Sequence, residues 1–167
     1  MTKEVKRSYL EINSIQELKK VLRPSEDYSI NLLDPINFQL NKFFYKNIGK
    51  NHNWKDRLEW PEKKWIEYTL NESVQTYILK KNNDYLGYYE LIFHYEKKET
   101  EIAYLGILEE YQNHKLGSCL LSSAIKNSFS KNSKRVWVHT CSLDHENALK
   151  NYLSRGMKIF KKETIFI

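Results

Sequence analysis

The stretch EEYQNHKLGSCLL, residues 109–121, joins a polar loop to the start of an apolar helix. At a helix start several backbone N–H groups lack an intrahelical partner, and the helix dipole adds partial positive charge. Such a loop can bind an anion, and Gly117 would let a ligand approach the backbone closely because glycine has no Cβ. The residues predicted to surround the anion are Gln112, Asn113, His114, Lys115, Leu116, Gly117 and Ser118.

A carboxylate in the segment LGYYELIF is a second candidate for chemistry. Glu90 stands in an otherwise apolar run, where charged side chains are uncommon. A carboxylate in such surroundings can serve as a general base. Period-two alternation along a strand would instead turn Glu90 toward solvent. The sequence leaves both interpretations open.

Histidines and a cysteine cluster in the segment RVWVHTCSLDH, at His139, Cys141 and His145. A zinc site and a nucleophilic Cys141 are the alternatives that these residue types raise. Their spacing fits no common zinc motif, and adding Cys119 would require tertiary proximity. Nor is a third group evident that would orient His139 against Cys141. We therefore predict no bound metal.

The segment NWKDRLEWPEKKW combines aromatic rings with carboxylates, namely Trp54, Trp60, Trp65, Asp56, Glu59 and Glu62. Aromatic faces next to carboxylates can hold a cationic amine. Ordinary packing of the rings beneath a loop is the alternative.

The loop at 109–118 resembles motif A of the GNAT acetyltransferase superfamily, Gln/Arg-x-x-Gly-x-Gly/Ala. Gln112 and Gly117 match this motif, whereas Lys115 stands where the first glycine usually lies. EIAYLGILEEYQNHKLG is similar, without gaps, to the histone-acetyltransferase branch. RVWVHTCSLDHENALKNYLSRGM resembles a bacterial branch that carries VWVHTC-LDH. The similarity covers most of residues 27–163.

The resemblance implies that acetyl-CoA is the cosubstrate and that the loop amides hold its pyrophosphate. An amine-bearing acceptor would receive the acetyl group by direct transfer. The strand before the loop would offer backbone groups of Leu105, Gly106 and Ile107 to the cosubstrate. His145, which stands where the family usually has asparagine, would contact acetyl-CoA or cap the next helix.

The resemblance also implies the groups that move protons. Glu101 lies 11 residues before Gln112, the spacing at which the histone-acetyltransferase branch has its general base. Tyr152, between Ala148 and Gly156 at helical spacing, matches the tyrosine that lies near the CoA sulfur and acts as an acid. An exposed strand-end Glu101 and a core Tyr152 are the alternatives, and Glu90 is the second candidate for the base.

Hydrophobic periodicity and capping residues predict which elements carry these groups. Strands are expected at 4–12, 27–34, 73–81, 85–96, 100–108, 135–141 and 157–167, and helices at 14–22, 35–49, 61–70, 116–129 and 145–155. This order predicts an α+β (α/β layered) domain. The resemblance implies the GNAT fold, a central twisted, mixed, mostly antiparallel sheet flanked by helices. It also implies a division into an N-terminal strand and helix extension, residues 1–26, which could act as a pairing arm, and an acetyltransferase domain, residues 27–167.

Composition limits the classes of protein. With 167 residues, 41% hydrophobic and 29% charged, the chain is expected to form one globular domain. Two cysteines are too few for a disulfide framework. The sequence has no run of about 18 apolar residues, so no membrane-spanning helix is expected. Because the N-terminus lacks the apolar core of a signal peptide, we expect a cytoplasmic protein.

The function classes that remain differ in whether they need catalysis. The net charge of +6 permits an RNA- or ribosome-associated protein, but no RNA-binding motif is present and no nucleic-acid partner is expected. Lys115 motivates a noncatalytic acyl-CoA-binding regulatory module with the same fold. The main prediction is an acetyl-CoA-dependent N-acetyltransferase that acts on a primary amine, with a homodimer as one option for its assembly.

Overall fold

The computed structural model describes residues 2–112 and 114–167. This part of the chain forms seven β-strands and four α-helices. In chain order they are β1 (Glu4–Ile12), β2 (Tyr28–Leu32), α1 (Phe38–Gly49), α2 (Glu62–Leu70), β3 (Val74–Lys81), β4 (Asp84–His94), β5 (Glu99–Ile107), α3 (Leu116–Phe129), β6 (Arg135–Cys141), α4 (Ala148–Ser154) and β7 (Lys158–Phe166).

Local signals specify most of these elements. The helix predicted over 116–129 is α3, with the same bounds. Helix α1 begins after Asn37, whose side chain accepts a hydrogen bond from the N–H of Gln39, as an N-cap does. The strands predicted over 73–81 and 85–96 are confirmed as β3 and β4, which pair as a hairpin. Asn82 in its turn has a φ of 52°, a conformation that asparagine tolerates.

The helix predicted over 14–22 is wrong. Only Ile15–Glu17 is helical, as a single 3₁₀ turn. Beyond it the backbone N–H groups bond to other elements: that of Lys19 donates to the carbonyl of Arg155 at 2.9 Å, and that of Val21 donates to Ser122 Oγ at 3.1 Å. These tertiary hydrogen bonds take the donors that a longer helix would need.

The strands form one sheet in the order β2-β3-β4-β5-β6-β1-β7. All neighbours are antiparallel except β5 and β6. Helices α1 and α2 cover one face, where Phe44 and Ile48 pack against Ile78 and Tyr88. Helices α3 and α4 cover the other face in a larger core cluster. The predicted α+β layered architecture, a mixed and mostly antiparallel sheet flanked by helices, is confirmed.

Strand β1 belongs to this sheet, although the sequence-based division put residues 1–26 in an extension. It pairs with β6 on one side and β7 on the other. Leu10 and Ile12 are fully buried in the core. The strand therefore pairs within its own chain, and the boundary at residue 26 stays a prediction.

No helix among the described residues has both the length and the apolar character that a bilayer crossing requires.

Candidate active site

A fork between two neighbouring strands opens a large cavity. Strands β5 and β6 pair in parallel only where Glu99–Glu101 meets Arg135–Trp137. Beyond Glu101 the two strands separate, while β5 stays paired with β4 as far as Ile107. The β5 edge beyond the fork thus faces a cavity of about 1280 Å³.

A β-bulge lies just inside the fork. Glu90 of β4 pairs with Tyr104, whereas Leu91 pairs with Ile102, so Ala103 is the extra residue on β5. A bulge of this kind bends a strand and redirects its backbone groups. Here it turns the free edge of β5 along the cavity wall.

The predicted residues of β5 line this wall, and the structure explains the glycine among them. Leu105, Gly106 and Ile107 all border the cavity. A Cβ on Gly106 would lie 2.6 Å from Ile48 Cγ2. Close packing of α1 therefore requires the glycine, independently of any ligand.

The loop after β5 returns the chain to the start of α3. The side-chain amide of Gln112 donates to the carbonyl of Ile107 at 3.2 Å and ties the loop to the end of the strand. Gln112, Lys115, Leu116, Gly117 and Ser118 border the cavity. His114 is exposed and is not part of the cavity wall. Asn113, also predicted for this site, lies outside the described residues.

Lys115 occupies a backbone conformation that favours glycine. It is the N-cap of α3 and has φ 59° and ψ 23°, in the left-handed region. This conformation accounts for the glycine that the resembled motif has at this position. A non-glycine residue adopts it at a cost of about 1–2 kcal/mol, so lysine keeps the turn that the motif requires.

The first turn of α3 presents its N–H groups to the cavity. Helix α3 begins at Leu116, and the side chain of its N-cap residue, Lys115, makes no capping hydrogen bond. The first N–H groups of a helix have no intrahelical partner. A Cβ on Gly117 would meet only Asn151 Nδ2, at an ordinary contact distance of 3.6 Å. Packing within the protein therefore does not demand glycine there, and the open space beside Gly117 belongs to the cavity.

Glu101 lies at the point where the strands separate. It is the last residue of β5 that pairs with β6, opposite Trp137. Its side chain is 20% exposed and borders the cavity. The distance between Glu101 Oε1 and His94 Nε2 is 3.1 Å. A carboxylate in this position can reach an amine held in the fork.

Glu90, the second candidate for the base, lies elsewhere. It is fully buried. Its Oε1 accepts hydrogen bonds from Arg57 Nη1 at 2.9 Å and from Tyr68 Oη at 2.7 Å, and its Oε2 accepts one from Asn41 Nδ2 at 3.0 Å. The carboxylate neither borders the cavity nor has a free oxygen directed to it. These contacts make Glu90 the anchor of Arg57, and the outward orientation considered from the sequence is wrong.

The side chain of Arg57 lies among the aromatic rings of the 54–68 segment, where the sequence suggested that a cationic amine could bind. Its guanidinium carbon lies 4.2 Å from the ring centre of Tyr68, 4.5 Å from that of Tyr104 and 4.8 Å from that of Trp60. Burial alone would lower the pKa of Arg57, but the negative charge of Glu90 outweighs it and the pKa is raised. Sequence reasoning missed this role of Arg57, because an arginine in a polar loop is usually solvated.

Tyr152 borders the cavity from helix α4. It is 7% exposed, and its hydroxyl makes no hydrogen bond within the described residues. Burial raises the pKa of the phenol well above its usual range, and the nearby Asp144 carboxylate raises it further. The phenol therefore stays protonated at neutral pH and can donate a proton.

The remaining predicted polar residues surround the mouth of the cavity. His145 borders it, and its Nδ1 accepts a hydrogen bond from the N–H of Asn147 at 3.1 Å just before α4. His139 and Cys141 share one face of β6, opposite Tyr9 and Arg7 of β1. Among the described residues, no group of three or more His, Cys, Asp or Glu side chains is arranged to hold a metal ion.

Known proteins of similar sequence or structure were compared with the chain. The sequence model of the acetyltransferase (GNAT) family matches residues 37–157. No curated protein matched the sequence.

Solved structures share the fold at low identity. A GCN5-related N-acetyltransferase from Kribbella flavida has a TM-score of 0.68 and 12% identity, over 99% of this chain and 58% of that chain. A functionally unknown conserved protein from Staphylococcus epidermidis ATCC 12228 has a TM-score of 0.67 and 17% identity, over 99% and 62%. An aminoglycoside acetyltransferase from an uncultured soil metagenomic sample has a TM-score of 0.63 and 14% identity, over 80% and 90%.

This chain thus spans about three fifths of the length of the first two of these proteins. At such identities the likeness concerns the fold. The family model covers the fork, the loop and helices α1 to α4 of the described structure. The chain belongs to the acetyltransferase (GNAT) family.

Proposed function

We propose that this protein is an acetyl-CoA-dependent N-acetyltransferase that moves an acetyl group directly to a primary amine. The observation that carries the proposal is the fork between β5 and β6. Around the cavity at this fork lie the start of α3, the phenol of Tyr152 and the carboxylate of Glu101. Membership of the GNAT family supports the same reaction.

The cavity suits acetyl-CoA as cosubstrate. The N–H groups of the first turn of α3 would hold the pyrophosphate, and Lys115 lies beside them. The unpaired edge of β5, from Ile102 to Ile107, would offer N–H and carbonyl groups to the amide-rich pantetheine arm. Acetyl-CoA supplies an acetyl group that is already activated as a thioester. The acetyltransferase therefore has to position the groups and move protons.

Protons would move at two residues that border the cavity. Glu101 would accept the proton that the acceptor amine loses, directly or through water. Tyr152 would donate its phenolic proton to the departing thiolate, since its raised pKa keeps that proton in place at neutral pH.

We expect Glu101→Gln to lower kcat/KM by about 10²-fold, the usual contribution of a general base. Glutamine keeps the size of the side chain but cannot accept the proton. Calorimetry should find acetyl-CoA affinity unchanged. Glu99→Gln is the matched control: Glu99 is on the same strand and face, binds Arg135 at 3.2 Å and does not border the cavity. Full activity in Glu101→Gln would exclude Glu101 as the base.

We expect Tyr152→Phe to lower kcat by about 10²-fold with little change in stability. Phenylalanine keeps the buried ring and removes only the donor. The parent enzyme should also keep its activity through pH 10, where an ordinary tyrosine ionises, because the pKa of Tyr152 is raised. Steady-state kinetics from pH 7 to 10 measure both effects. An unchanged kcat in the variant would show that another group protonates the thiolate.

The direct test of cosubstrate binding is calorimetric titration with acetyl-CoA and with dephospho-CoA. Micromolar binding of both, followed by thiol release with one of a panel of primary amines such as lysine, spermidine and sisomicin, supports the proposal. Binding without transfer to any amine would favour a noncatalytic acyl-CoA-binding module. The non-glycine Lys115 in the loop is the observation that keeps this second candidate in view. The acceptor, the cytoplasmic location and a homodimer stay predictions.

A further inference from the structure

A histidine at the end of β4 contacts the proposed base but does not border the cavity. His94 is the last residue of β4, and its Nε2 lies 3.1 Å from Oε1 of Glu101. The His94 side chain is 39% exposed and does not border the cavity, whereas Glu101 does. His94 therefore reaches the site only through Glu101.

The sheet fixes this pair at the fork. His94 pairs with Glu99, Ile92 pairs with Glu101, and Glu101 pairs with Trp137. The side chains of His94, Glu101 and Trp137 thus share one face of three adjacent strands. The imidazole lies nearly parallel to the Trp137 ring, with centroids 6.2 Å apart and an interplanar angle of 19°. This packing limits the rotation of His94 and keeps Nε2 directed at the carboxylate.

We infer that His94 is a positioning residue for the base: its Nε2–H donates to Oε1 of Glu101, which fixes the orientation of the carboxylate and leaves Oε2 free for the acceptor amine. The inference rests on the proposed function. A hydrogen bond to one oxygen restricts the rotation of the carboxylate, so less conformational freedom is lost when the amine binds. The role of His94 is distinct from that of a group that touches the substrate.

Other charged groups around His94 are already paired or more distant. Glu99, its register partner on β5, binds Arg135, which also binds Glu11 of β1 at 2.6 Å. On β6 the neighbours of Glu101 are Trp137 and His139, and burial lowers the pKa of His139, so that imidazole is neutral at pH 7. In the turn after His94, Glu96 and Lys97 are exposed to solvent. Glu101 is therefore the only carboxylate within hydrogen-bonding distance of His94 among the described residues.

The test compares two amide variants that differ in reach. In His94→Gln the amide nitrogen lies about as far from Cβ as the histidine Nε2 does, so the bond to Glu101 can form. In His94→Asn the amide is too short. We expect His94→Asn to lower kcat/KM about tenfold. His94→Gln should keep most of the activity, because its amide can restore the hydrogen bond to Glu101.

The assay measures thiol release from acetyl-CoA with the most active amine of the panel, and calorimetry measures acetyl-CoA affinity in every variant. Equal kinetics for His94→Asn and the parent would overturn the inference, and so would an equal loss in both amide variants. Glu101→Gln distinguishes the two levels of the proposal. If Glu101→Gln is inactive but His94→Asn is fully active, only the role of His94 fails. If Glu101→Gln is fully active, the proposed base fails first.

Discussion

Gly117→Asp is expected to abolish acetyl-CoA binding, with the dissociation constant rising at least about 100-fold. The new carboxylate would stand in the first turn of α3, where the pyrophosphate is proposed to lie. Like charges a few ångströms apart repel strongly once water is partly excluded. Its side chain would also fill the open space beside Gly117.

The fold should tolerate this change, which makes the result interpretable. A Cβ at Gly117 reaches only Asn151, at 3.6 Å. An aspartate in the first turn of a helix is favourable to the helix dipole. The melting temperature should therefore stay at or above that of the parent, and calorimetry with acetyl-CoA measures the loss of affinity.

Gly117→Asn is the control that separates charge from size. It should weaken binding less than Gly117→Asp, because it has nearly the same volume and no charge. Equal losses in both variants would assign the effect to bulk. If Gly117→Asp binds acetyl-CoA as well as the parent does, the start of α3 is not the anion site.

Glu90→Ala is expected to lower the free energy of unfolding by about 3–5 kcal/mol. The substitution leaves Arg57, 6% exposed, as a buried charge without its partner, and it removes acceptors from Tyr68 and Asn41. Equilibrium urea denaturation at pH 7 gives this free energy.

Two controls identify the cause. Glu67 is also a glutamate in an ion pair, but that pair with Lys63 is exposed and 4.0 Å long, so Glu67→Ala should change stability by less than about 1 kcal/mol. Combining Glu90→Leu with Arg57→Met should recover much of the loss, because it removes both buried charges. If Glu90→Ala is as stable as Glu67→Ala, the buried pair does not anchor this region.

The contacts of Glu90 also matter for the cavity. Arg57, Tyr68 and Trp60 border the cavity. Glu90 therefore acts on the cavity indirectly, by holding the guanidinium that the aromatic rings surround. This is a different role from the catalytic one considered from the sequence.

The sequence by itself determined most of the elements and their order. Three features depend only on residues close together in the chain: the apolar stripe of α3, the Asn82–Asn83 turn and the alternation in β1. Short-range periodicity of this kind reports which face of an element is buried. The sequence also predicted the loop between β5 and α3, because its polar residues and Gly117 lie next to each other in the chain.

Tertiary structure decided which residues meet. Hydrogen bonds of Lys19 and Val21 to distant residues prevented the predicted N-terminal helix. The separation of β5 from β6 beyond Glu101 depends on strand pairing between distant segments, and no local pattern encodes it. The left-handed conformation of Lys115 likewise follows from the turn that joins two packed elements.

The two glutamates show the same limit most clearly. Glu90 and Glu101 both lie on strands, and the sequence left both as candidates for the general base. Strand register and the helices on one face placed Glu90 against Arg57 in the interior and left Glu101 at the fork beside His94. Burial and partners of a charged side chain depend on contacts made across the whole fold, so only the folded chain distinguishes an anchor from a candidate base.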